Sequence, residues 1–379
     1  MKENDTTLPV NEDDQQVRLP ISATTPDGVF VAPLGGGLVS LSANALPGEL
    51  PALLISRLQR EAHRRRLAVV QGNVFADPAL GLDNAPAEFP VSFLSRHDTP
   101  PNALHGARVL ALPHGSFDRI NLPTGIPVGA HWETPSARYL LLGALTPADT
   151  TASLASQSAD VWRDLRSILL SQGFALTDIV RTWFFNHRIL EWYDDFNRVR
   201  TAFFNENNIF GTLVPASTGV GASNPHNAAL SLDALAIAPK RDTATTAIAV
   251  PSPLQCPAND YKSAFSRAVE VNDTTGRHLL ISGTASIELN GTTAHKDDLD
   301  AQIKLSLRVV GAILNSRNMD WGNVSRGILY FPKIEWMSRF EPCRAALGLP
   351  ALPVIFAHCD ICRDDLLFEI ELDAFQPHK

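Results

Sequence analysis

An internal repeat constrains the fold of this chain more than any other feature of its sequence. Residues 138–144 read Arg-Tyr-Leu-Leu-Leu-Gly-Ala and residues 277–285 read Arg-His-Leu-Leu-Ile-Ser-Gly-Thr-Ala, which predicts the same apolar strand twice. Each copy continues into an amphipathic helix, predicted over 159–171 and 299–316, because apolar residues recur there at three- and four-residue spacing. Two such copies predict a duplicated α+β fold.

The rest of each copy repeats as well. Strands predicted over 177–185 and 321–331 follow the helices, and the first copy then adds a second helix over 192–204. Both copies finish with an apolar strand pair after a proline, Pro215 or Pro353, and the last strands are predicted over 229–236 and 367–374. The order within a copy is therefore β-α-β-α-β-β, in which two helices cover one face of a mixed sheet.

The repeat divides the chain into four predicted parts. Residues 1–18 are polar and acidic and are predicted to be a disordered tail, and residues 19–130 form a divergent N-terminal α/β segment. That segment has short strands at 28–32, 37–41, 68–72 and 91–94 and a helix at 49–66, and its Pro- and Gly-rich end, 100–129, is predicted to be a long loop. The first repeated unit spans 131–245 and the second 246–379.

Charge and cysteine content narrow the class of function. The 379 residues carry a formal net charge of -8, which provides no overall positive field to attract nucleic acid or an anionic membrane. No apolar run approaches the roughly 18–20 residues that span a bilayer, and the polar N-terminus does not resemble a secretion signal. Four cysteines in so long a chain do not make a disulfide framework, which favours a reducing, cytoplasmic location.

One cysteine pair has the spacing of half a metal site. Cys359 and Cys362 lie three positions apart, but no second pair follows at a metal-site spacing, and His358 is the one histidine beside them. A structural zinc site needs four ligands. The sequence therefore predicts no metal site.

Five sequence segments resemble one enzyme family. Residues 192–200 read Trp-Tyr-Asp-Asp-Phe-Asn-Arg-Val-Arg, 215–221 read Pro-Ala-Ser-Thr-Gly-Val-Gly, and 265–268 read Phe-Ser-Arg-Ala. Residues 282–286 read Ser-Gly-Thr-Ala-Ser, and 362–371 read Cys-Arg-Asp-Asp-Leu-Leu-Phe-Glu-Ile-Glu. In this order, on a tandem repeat, they resemble the chorismatases. Those enzymes are built from tandem units like the reactive-intermediate deaminases, also called chorismate-mutase-like units.

The resemblance implies a pseudo-trimeric arrangement of such units, with ligand sites in the clefts between neighbours. It also implies chorismate as a small-molecule substrate and no cofactor, since chorismate supplies its own enol ether. The chain would act as a monomer or as a homo-oligomer, for example a trimer. It would release pyruvate plus 3-hydroxybenzoate or 3,4-dihydroxycyclohexa-1,5-diene carboxylate.

Glu369 is the predicted catalytic acid. Alternation along the last strand places Leu366, Phe368, Ile370 and Leu372 on one face and Leu367, Glu369 and Glu371 on the other. Such acids usually mark a solvated face, but Ser231 stands in the first copy where Glu369 stands in the second. One copy would thus retain a working acid. Protonating the methylene carbon of chorismate needs a neutral carboxyl group, whose pKa burial would raise from about 4.3.

Three residues are candidates for holding the carboxylates of the substrate. On the helix at 192–204, Tyr193, Asn197 and Arg200 follow one stripe beside the apolar one, so a hydroxyl and a guanidinium would share a carboxylate. The alternative is a surface helix with a solvated Arg200 and an Asp195–Arg198 ion pair. Arg267, in a short predicted strand, is the second cation. The glycines of residues 218–221 would let backbone N–H groups approach an anion, although a plain turn would have the same sequence, and Gly219 is expected to shape the pocket.

Two further residues bear on the product. Within the resemblance, Cys362 favours the hydroxybenzoate-forming subgroup, whereas Ala285 favours the simple hydrolases, so the signature is mixed.

Two other functions stay open. The first is enamine or imine hydrolysis, although the prolines at 215 and 353 lack the arginine that follows in those proteins. The second is a metabolite-binding protein without catalysis, in which a buried acid facing the ligand would serve no purpose.

Overall fold

Three six-stranded sheets make up the protein. The computed structural model describes residues 23–81, 88–261 and 263–378, and the tail predicted over 1–18 lies outside them. The first sheet contains β1 (Ala23–Thr24), β2 (Phe30–Pro33), β3 (Val39–Asn44), β4 (Leu67–Ala76), β5 (Val91–Leu94) and β6 (Leu104–Pro113). One helix, α1 (Pro51–Arg64), packs on it.

The second and third sheets follow in chain order. The second contains β7 (Phe117–Asn121), β8 (Pro127–Glu133), β9 (Ala137–Leu145), β10 (Ile179–Asn186), β11 (Ala216–Gly221) and β12 (Leu230–Pro239), with helices α2 (Leu154–Ser171) and α3 (Tyr193–Glu206). The third contains β13 (Thr246–Val250), β14 (Ala268–Asn272), β15 (Gly276–Ala285), β16 (Val324–Phe331), β17 (Val354–His358) and β18 (Glu369–Pro377), with α4 (Leu299–Ser316) and α5 (Phe340–Ala346).

All three sheets have the same topology. Numbered within each unit, the strands lie in the order 1-2-3-6-4-5, and in each unit the fourth and fifth strands pair in parallel while the other pairs are antiparallel. The N-terminal segment is therefore a third copy of the unit, which its sequence does not reveal. The predicted fold class, α+β with tandem deaminase-like units, is confirmed.

The predicted loop over 100–129 is wrong. This stretch contains β6, β7 and the start of β8, and β7 and β8 belong to the second sheet. Its prolines and glycines lie at strand ends and in the tight turns between them, where Gly115 and Gly125 have positive φ. Because the second sheet begins at Phe117, we propose that the first predicted unit starts there rather than at residue 131.

The helices follow their apolar periodicity. In α4 the apolar residues Ile303, Leu307, Val310 and Leu314 are buried against the third sheet. The third unit also has a second helix, α5, which was not predicted. Seven residues give too few turns for a recognisable pattern.

A shared core lies where the three sheets face one another, and the helices cover the outer faces. Phe75, Phe185 and Tyr330 meet in this shared core, one from each sheet. The ring centroid of Phe75 lies 6.3 Å from that of Phe185 and 6.1 Å from that of Tyr330. The three residues occupy equivalent strand positions, so the units are arranged with approximate threefold symmetry around this core, as expected for a pseudo-trimer.

Two further observations concern the chain as a whole. Within the described residues, none of the helices combines the length and the apolar character needed to cross a bilayer. The four cysteines, Cys256, Cys343, Cys359 and Cys362, all carry free thiols.

Candidate active site

A cavity of about 1150 Å³ lies between the second and third units. Helix α3 and strand β11 form one wall, and β15, the start of β18 and the loops before β14 and β18 form the other. The structure brings all the residues predicted for the site to this cavity: Tyr193, Arg200, Gly219, Arg267, Ala285, Cys362 and Glu369. Both of these walls are formed by described residues of one chain.

Glu369 is the first residue of β18 and is 5% exposed. Side chains alternate between the two faces of the sheet from Phe368 onward. Phe368, Ile370 and Leu372 pack under the helices, while Glu369 and Glu371 face the other side. The prediction for Leu366 is wrong, since Leu366 packs into the shared core. It precedes the strand, so the two-residue period does not extend to it.

Gly283 makes room for the Glu369 carboxyl group. A Cβ atom on Gly283 would lie 2.0 Å from Glu369 Oε1, so the carboxyl group rests directly against the glycine backbone. Ala285, two residues on in β15, is the register partner of Glu369. A side chain at 283 would therefore displace the Glu369 carboxyl group from this position, a relation that sequence reasoning missed because the contact joins two different strands.

Glu369 is held in its neutral form. Burial, reinforced by the nearby charge of Glu371, raises the pKa of Glu369 from 4.5 to about 8, against the opposing effects of Arg181 and Arg267. At neutral pH the carboxyl group therefore carries its proton.

Glu371, two residues along the same face, stays ionised. Its carboxylate accepts hydrogen bonds from Arg181 Nη2 at 2.8 Å, Trp183 Nε1 at 3.0 Å and Arg326 Nη1 at 2.9 Å. The two arginines hold the pKa of Glu371 below its usual range although the residue is fully buried. Two neighbouring carboxyl groups thus have opposite protonation states.

Sequence reasoning missed the arginines at the centre of the molecule. Arg108, Arg181 and Arg326 come one from each unit, are at most 1% exposed, and stack within 5.5 Å of the Trp183 ring centroid. A signal existed, because Arg181 and Arg326 occupy matching positions of the two repeated strands, each two residues beyond the strand's first residue.

Arg200 lies on α3 and is 2% exposed. Its Nη2 donates to Asn197 Oδ1 at 2.5 Å, and its guanidinium stacks 5.1 Å from the Phe196 ring centroid. The alternative of a solvated Arg200 is therefore wrong, although the exposed Asp195–Arg198 ion pair does form at 2.8 Å. Helix α3 thus has a surface side and a cavity side.

Arg267 is the second buried cation of the cavity, at 4% exposed. It lies just before β14 rather than inside a strand. Its Nε and Nη2 both donate to the backbone carbonyl of Cys256, at 3.0 and 2.7 Å, which fixes the plane of the guanidinium.

Tyr193 and Cys362 lie side by side at the cavity. The Tyr193 hydroxyl lies 3.4 Å from Ser263 Oγ and also forms a hydrogen bond with the Cys362 thiol. Burial and the nearby Glu369 raise the pKa of Cys362 to about 12, so the thiol stays protonated. Within the described residues, no three His, Cys, Asp or Glu side chains converge as metal ligands would.

Residues 218–221 do not form the turn that was the alternative reading, because they are part of β11, paired in parallel with β10. Gly219 lines the cavity, and a Cβ atom there would meet nothing within 4 Å. The α-carbon of Gly219 therefore faces open cavity space.

The mouth of the cavity differs in charge from its interior. Its exposed lining residues are mostly acidic: Glu191, Asp194, Asp195 and Asp364, with Arg198 among them. The two buried lining arginines and the neutral Glu369 leave the interior positive. An anion would thus find its countercharges deep in the cavity.

The acid has been retained in one of three equivalent clefts. Glu369 lies opposite Tyr330, Ser231 opposite Phe185, and Gly106 opposite Phe75, so these three are equivalent positions. Ser231 Oγ contacts Ser92 Oγ at 3.2 Å, and Ile355 Cβ would lie 3.2 Å from a Cβ on Gly106. Side chains of neighbouring units fill these two positions, which leaves a single cleft with the acid.

Comparisons with known proteins agree with this architecture. No family model matches the sequence. A 3-hydroxybenzoate synthase from Streptomyces hygroscopicus is 27% identical over 230 residues, which cover 53% of this chain and 65% of that protein, just under two thirds of its length. A chorismatase from the same organism is 28% identical over 240 residues, which cover 59% of this chain and 67% of that protein.

A solved structure has the same fold. The crystal structure of a chorismatase matches with a TM-score of 0.60 and 21% sequence identity, and the match covers 81% of this chain and 92% of that one. The likeness extends beyond the two repeated units, so it includes at least part of the first, N-terminal unit, which the sequence left unassigned.

Proposed function

We propose that this chain, whose sequence and fold support its assignment to the chorismatase family, removes pyruvate from chorismate with Glu369 as the general acid. The observation that carries the proposal is a neutral, buried carboxyl group at the wall of a cavity that also holds two buried arginines. The relatives are named for enzyme activities, and they support an enzyme rather than a binding protein.

The charges of the cavity match those of the substrate. Chorismate carries two carboxylates, and buried charges are tolerated when they are paired. Arg200 together with Tyr193 holds one carboxylate, and Arg267 holds the other. Gly219 and Ala285, which have little or no side chain, leave room for the ring.

The chemical step is a proton transfer. Glu369 donates its proton to the terminal methylene carbon of the enolpyruvyl group, and the ether carbon becomes an oxocarbenium ion. The carboxylate left on Glu369 then stabilises this cation. No cofactor is required, because the electrons that accept the proton come from the enol ether itself.

Capture of the cation decides the product. Water adding to the cationic carbon gives a hemiketal, whose collapse releases pyruvate and leaves the dihydroxycyclohexadiene carboxylate. Alternatively, the neighbouring ring hydroxyl attacks the ring carbon that bears the ether, which breaks the bond from that carbon to the ether oxygen and releases pyruvate; the resulting epoxide opens at its other carbon and loses a ring proton to give 3-hydroxybenzoate, with no net uptake of water. Cys362 favours the second product and Ala285 the first, so chromatography of the reaction mixture is the deciding measurement.

The proposal is tested by incubating the purified chain with chorismate and following pyruvate with lactate dehydrogenase. Replacing Glu369 by Gln should lower the turnover number by about 10²–10⁴-fold, the usual contribution of a general acid. Chorismate binding, measured by calorimetry, should persist in that variant. Glu288→Gln, a change at an exposed residue, is the matched control and should keep wild-type turnover.

Two outcomes would favour the alternatives. A wild-type chain that binds chorismate and never consumes it would be a metabolite-binding protein. A chain that ignores chorismate and hydrolyses an enamine or imine would act as the small deaminases do. Undiminished turnover in the Glu369→Gln variant would show that Glu369 is not the general acid.

A further inference from the structure

One buried side chain ties the segment before Glu369 to helix α4. Gln302, the fourth residue of α4, is fully buried. Its Nε2 donates to the backbone carbonyl of Asp365 at 2.9 Å, and its Oε1 accepts from the backbone N–H of Leu367 at 2.8 Å. Nε2 also donates to the carbonyl of His295 at 3.3 Å. The amide thus satisfies backbone groups that lie outside the strands of the third sheet.

The segment that Gln302 holds forms part of the cavity wall. Residues 362–365 and Glu369 all line the cavity. Leu367 lies two residues before Glu369, which is about 7 Å of extended chain. The place where Gln302 fixes the Leu367 N–H therefore sets where β18 begins. It also sets how the Glu369 carboxyl group rests against the Gly283 backbone.

The internal repeat contains a matched residue. Helices α2 and α4 both begin with leucine, and the fourth residue of each is glutamine, Gln157 in α2 and Gln302 in α4. Gln157 is also buried, and its Oε1 accepts from the backbone N–H of Ala229 at 2.8 Å. Ala229 lies two residues before Ser231, which stands at the position of Glu369. This bond from helix to strand entry therefore belongs to the shared fold of both units.

The two glutamines differ in where their amide nitrogens donate. Gln157 Nε2 donates to the carbonyls of Thr150 and Ala152, at 3.2 and 2.8 Å, and both lie in the loop before its own helix. Gln302 Nε2 instead makes its shorter bond to the carbonyl of Asp365, in the cavity wall. The unit that retains the acid thus has an additional tie between the helix and the segment that leads into the acid.

We propose that Gln302 is a positioning residue, which holds Asp365 and Leu367 so that the Glu369 carboxyl group stays where it can reach the substrate. A misplacement of about 1 Å costs up to about 10²-fold in rate when two reacting groups must meet closely. The inference rests on the proposed function, because the position of Glu369 matters to catalysis only if Glu369 is the acid.

Gln302→Met is the test variant, because methionine has a similar length and lacks the amide. The turnover number with chorismate should fall by about 10–100-fold. KM should change by less than about threefold, because Arg200 and Arg267 lie on other elements and keep their contacts. A loss confined to the turnover number is the expected signature of a displaced acid.

Gln157→Met is the matched control, because it removes the equivalent bonds beneath Ser231. Both variants should lower the midpoint of urea unfolding to a similar extent, since each leaves a buried backbone N–H without its acceptor. Gln157→Met should nevertheless keep the wild-type turnover number and KM. A wild-type turnover number in Gln302→Met, or an equal loss in both variants, would overturn the proposal, because Gln302 would then serve the fold alone.

Should Gln302→Met fail to fold, Gln302→Glu takes its place, with Gln157→Glu as its control. Glutamate keeps the acceptor for the Leu367 N–H and loses the amide donor to the Asp365 carbonyl. The expected result is the same fall in the turnover number for the variant at 302 and none for the variant at 157.

Crystal structures of the variants separate this inference from the proposed function. In Gln302→Met the Glu369 carboxyl group should leave its contact with Gly283, whereas in Gln157→Met it should stay. If the wild type never consumes chorismate, the proposed function fails, yet the position of the carboxyl group still tests Gln302. An unmoved carboxyl group in Gln302→Met would overturn the inference.

Discussion

At the scale of single residues, the buried acid that we propose for catalysis also makes the stability of the fold sensitive to pH. The pKa of Glu369 is about 8 in the folded protein against an ordinary value of 4.5. The folded state therefore binds this proton more tightly than the unfolded state does. The stability that results is fully present below pH 4.5 and is lost as pH rises to about 8.

Replacing Glu369 by Gln should remove this dependence. Relative to the wild type, the free energy of unfolding of the variant should increase by about 1.4 kcal/mol per pH unit between pH 4.5 and 8, and should level off above. Urea unfolding at several pH values measures the difference. Glu288→Gln, at an exposed position, should show no such slope. A stability difference that does not vary with pH would mean that Glu369 is ionised in the folded protein.

The residues chosen from the sequence all line one cavity, whereas the neighbouring residues that pack against them were not recognised. Sequence reasoning named seven of the residues that line the cavity, because alternation along the last strand and the family motifs mark them. Thr218 was considered only together with the glycines beside it, and Gly283 drew no attention. What matters at those two positions is a contact between units, in which the Gly283 N–H donates to Thr218 Oγ1. No pattern within one strand records such a contact.

At the scale of elements, helix α3 is the part of the fold that would hold one carboxylate of the proposed substrate. Tyr193, Asn197 and Arg200 lie along its cavity side, while Asp195 and Arg198 pair on its surface. Arg200 is fixed by Asn197 Oδ1 and by the Phe196 ring. A flat, two-pronged guanidinium held in this way suits a carboxylate better than a single ammonium charge does.

Arg200→Lys should therefore weaken substrate binding although the charge is kept. Loss of one charge-assisted hydrogen bond costs about 1.5–3 kcal/mol, which corresponds to an increase of about 10–100-fold in KM. Steady-state kinetics with chorismate measures the change. Arg163→Lys, on the exposed side of α2, should leave KM unaltered. An equal KM in Arg200→Lys would show that the carboxylate is held elsewhere.

Helices of several turns and strands with a strong alternation were predicted from the sequence. Strands that can be assigned only from the strands they pair with were not. Helices α2 and α4 and strands β10, β12, β16 and β18 were all recognised from periodicity. Strands β6, β7 and β8 were taken for a loop because short strands joined by tight turns bring proline and glycine close together. Their assignment to two different sheets depends on long-range pairing that composition does not show.

At the scale of the whole molecule, approximate threefold symmetry sets one charged cluster at the centre and three clefts around it. The clefts have diverged, and one keeps its acid, whereas the centre holds an arginine from each unit: Arg181 and Arg326 at equivalent positions, and Arg108 at the position equivalent to Glu371. Arg326 donates to Asp373 through Nε at 2.8 Å and to Glu371 through Nη1 at 2.9 Å. The third unit thus depends on this arginine to neutralise two buried carboxylates.

Arg326→Gln should consequently destabilise the entire chain. It leaves Glu371 and Asp373 buried with less countercharge, and breaking a buried ion pair on one side costs about 3–5 kcal/mol. Arg339→Gln breaks the exposed pair with Asp300 and should cost about 1 kcal/mol or less. Urea unfolding followed by tryptophan fluorescence measures both. Because Trp183 of the second unit stacks against arginines from all three units, the loss should appear as one shifted transition. A separate early transition of the third unit alone would show that the central cluster does not couple the units.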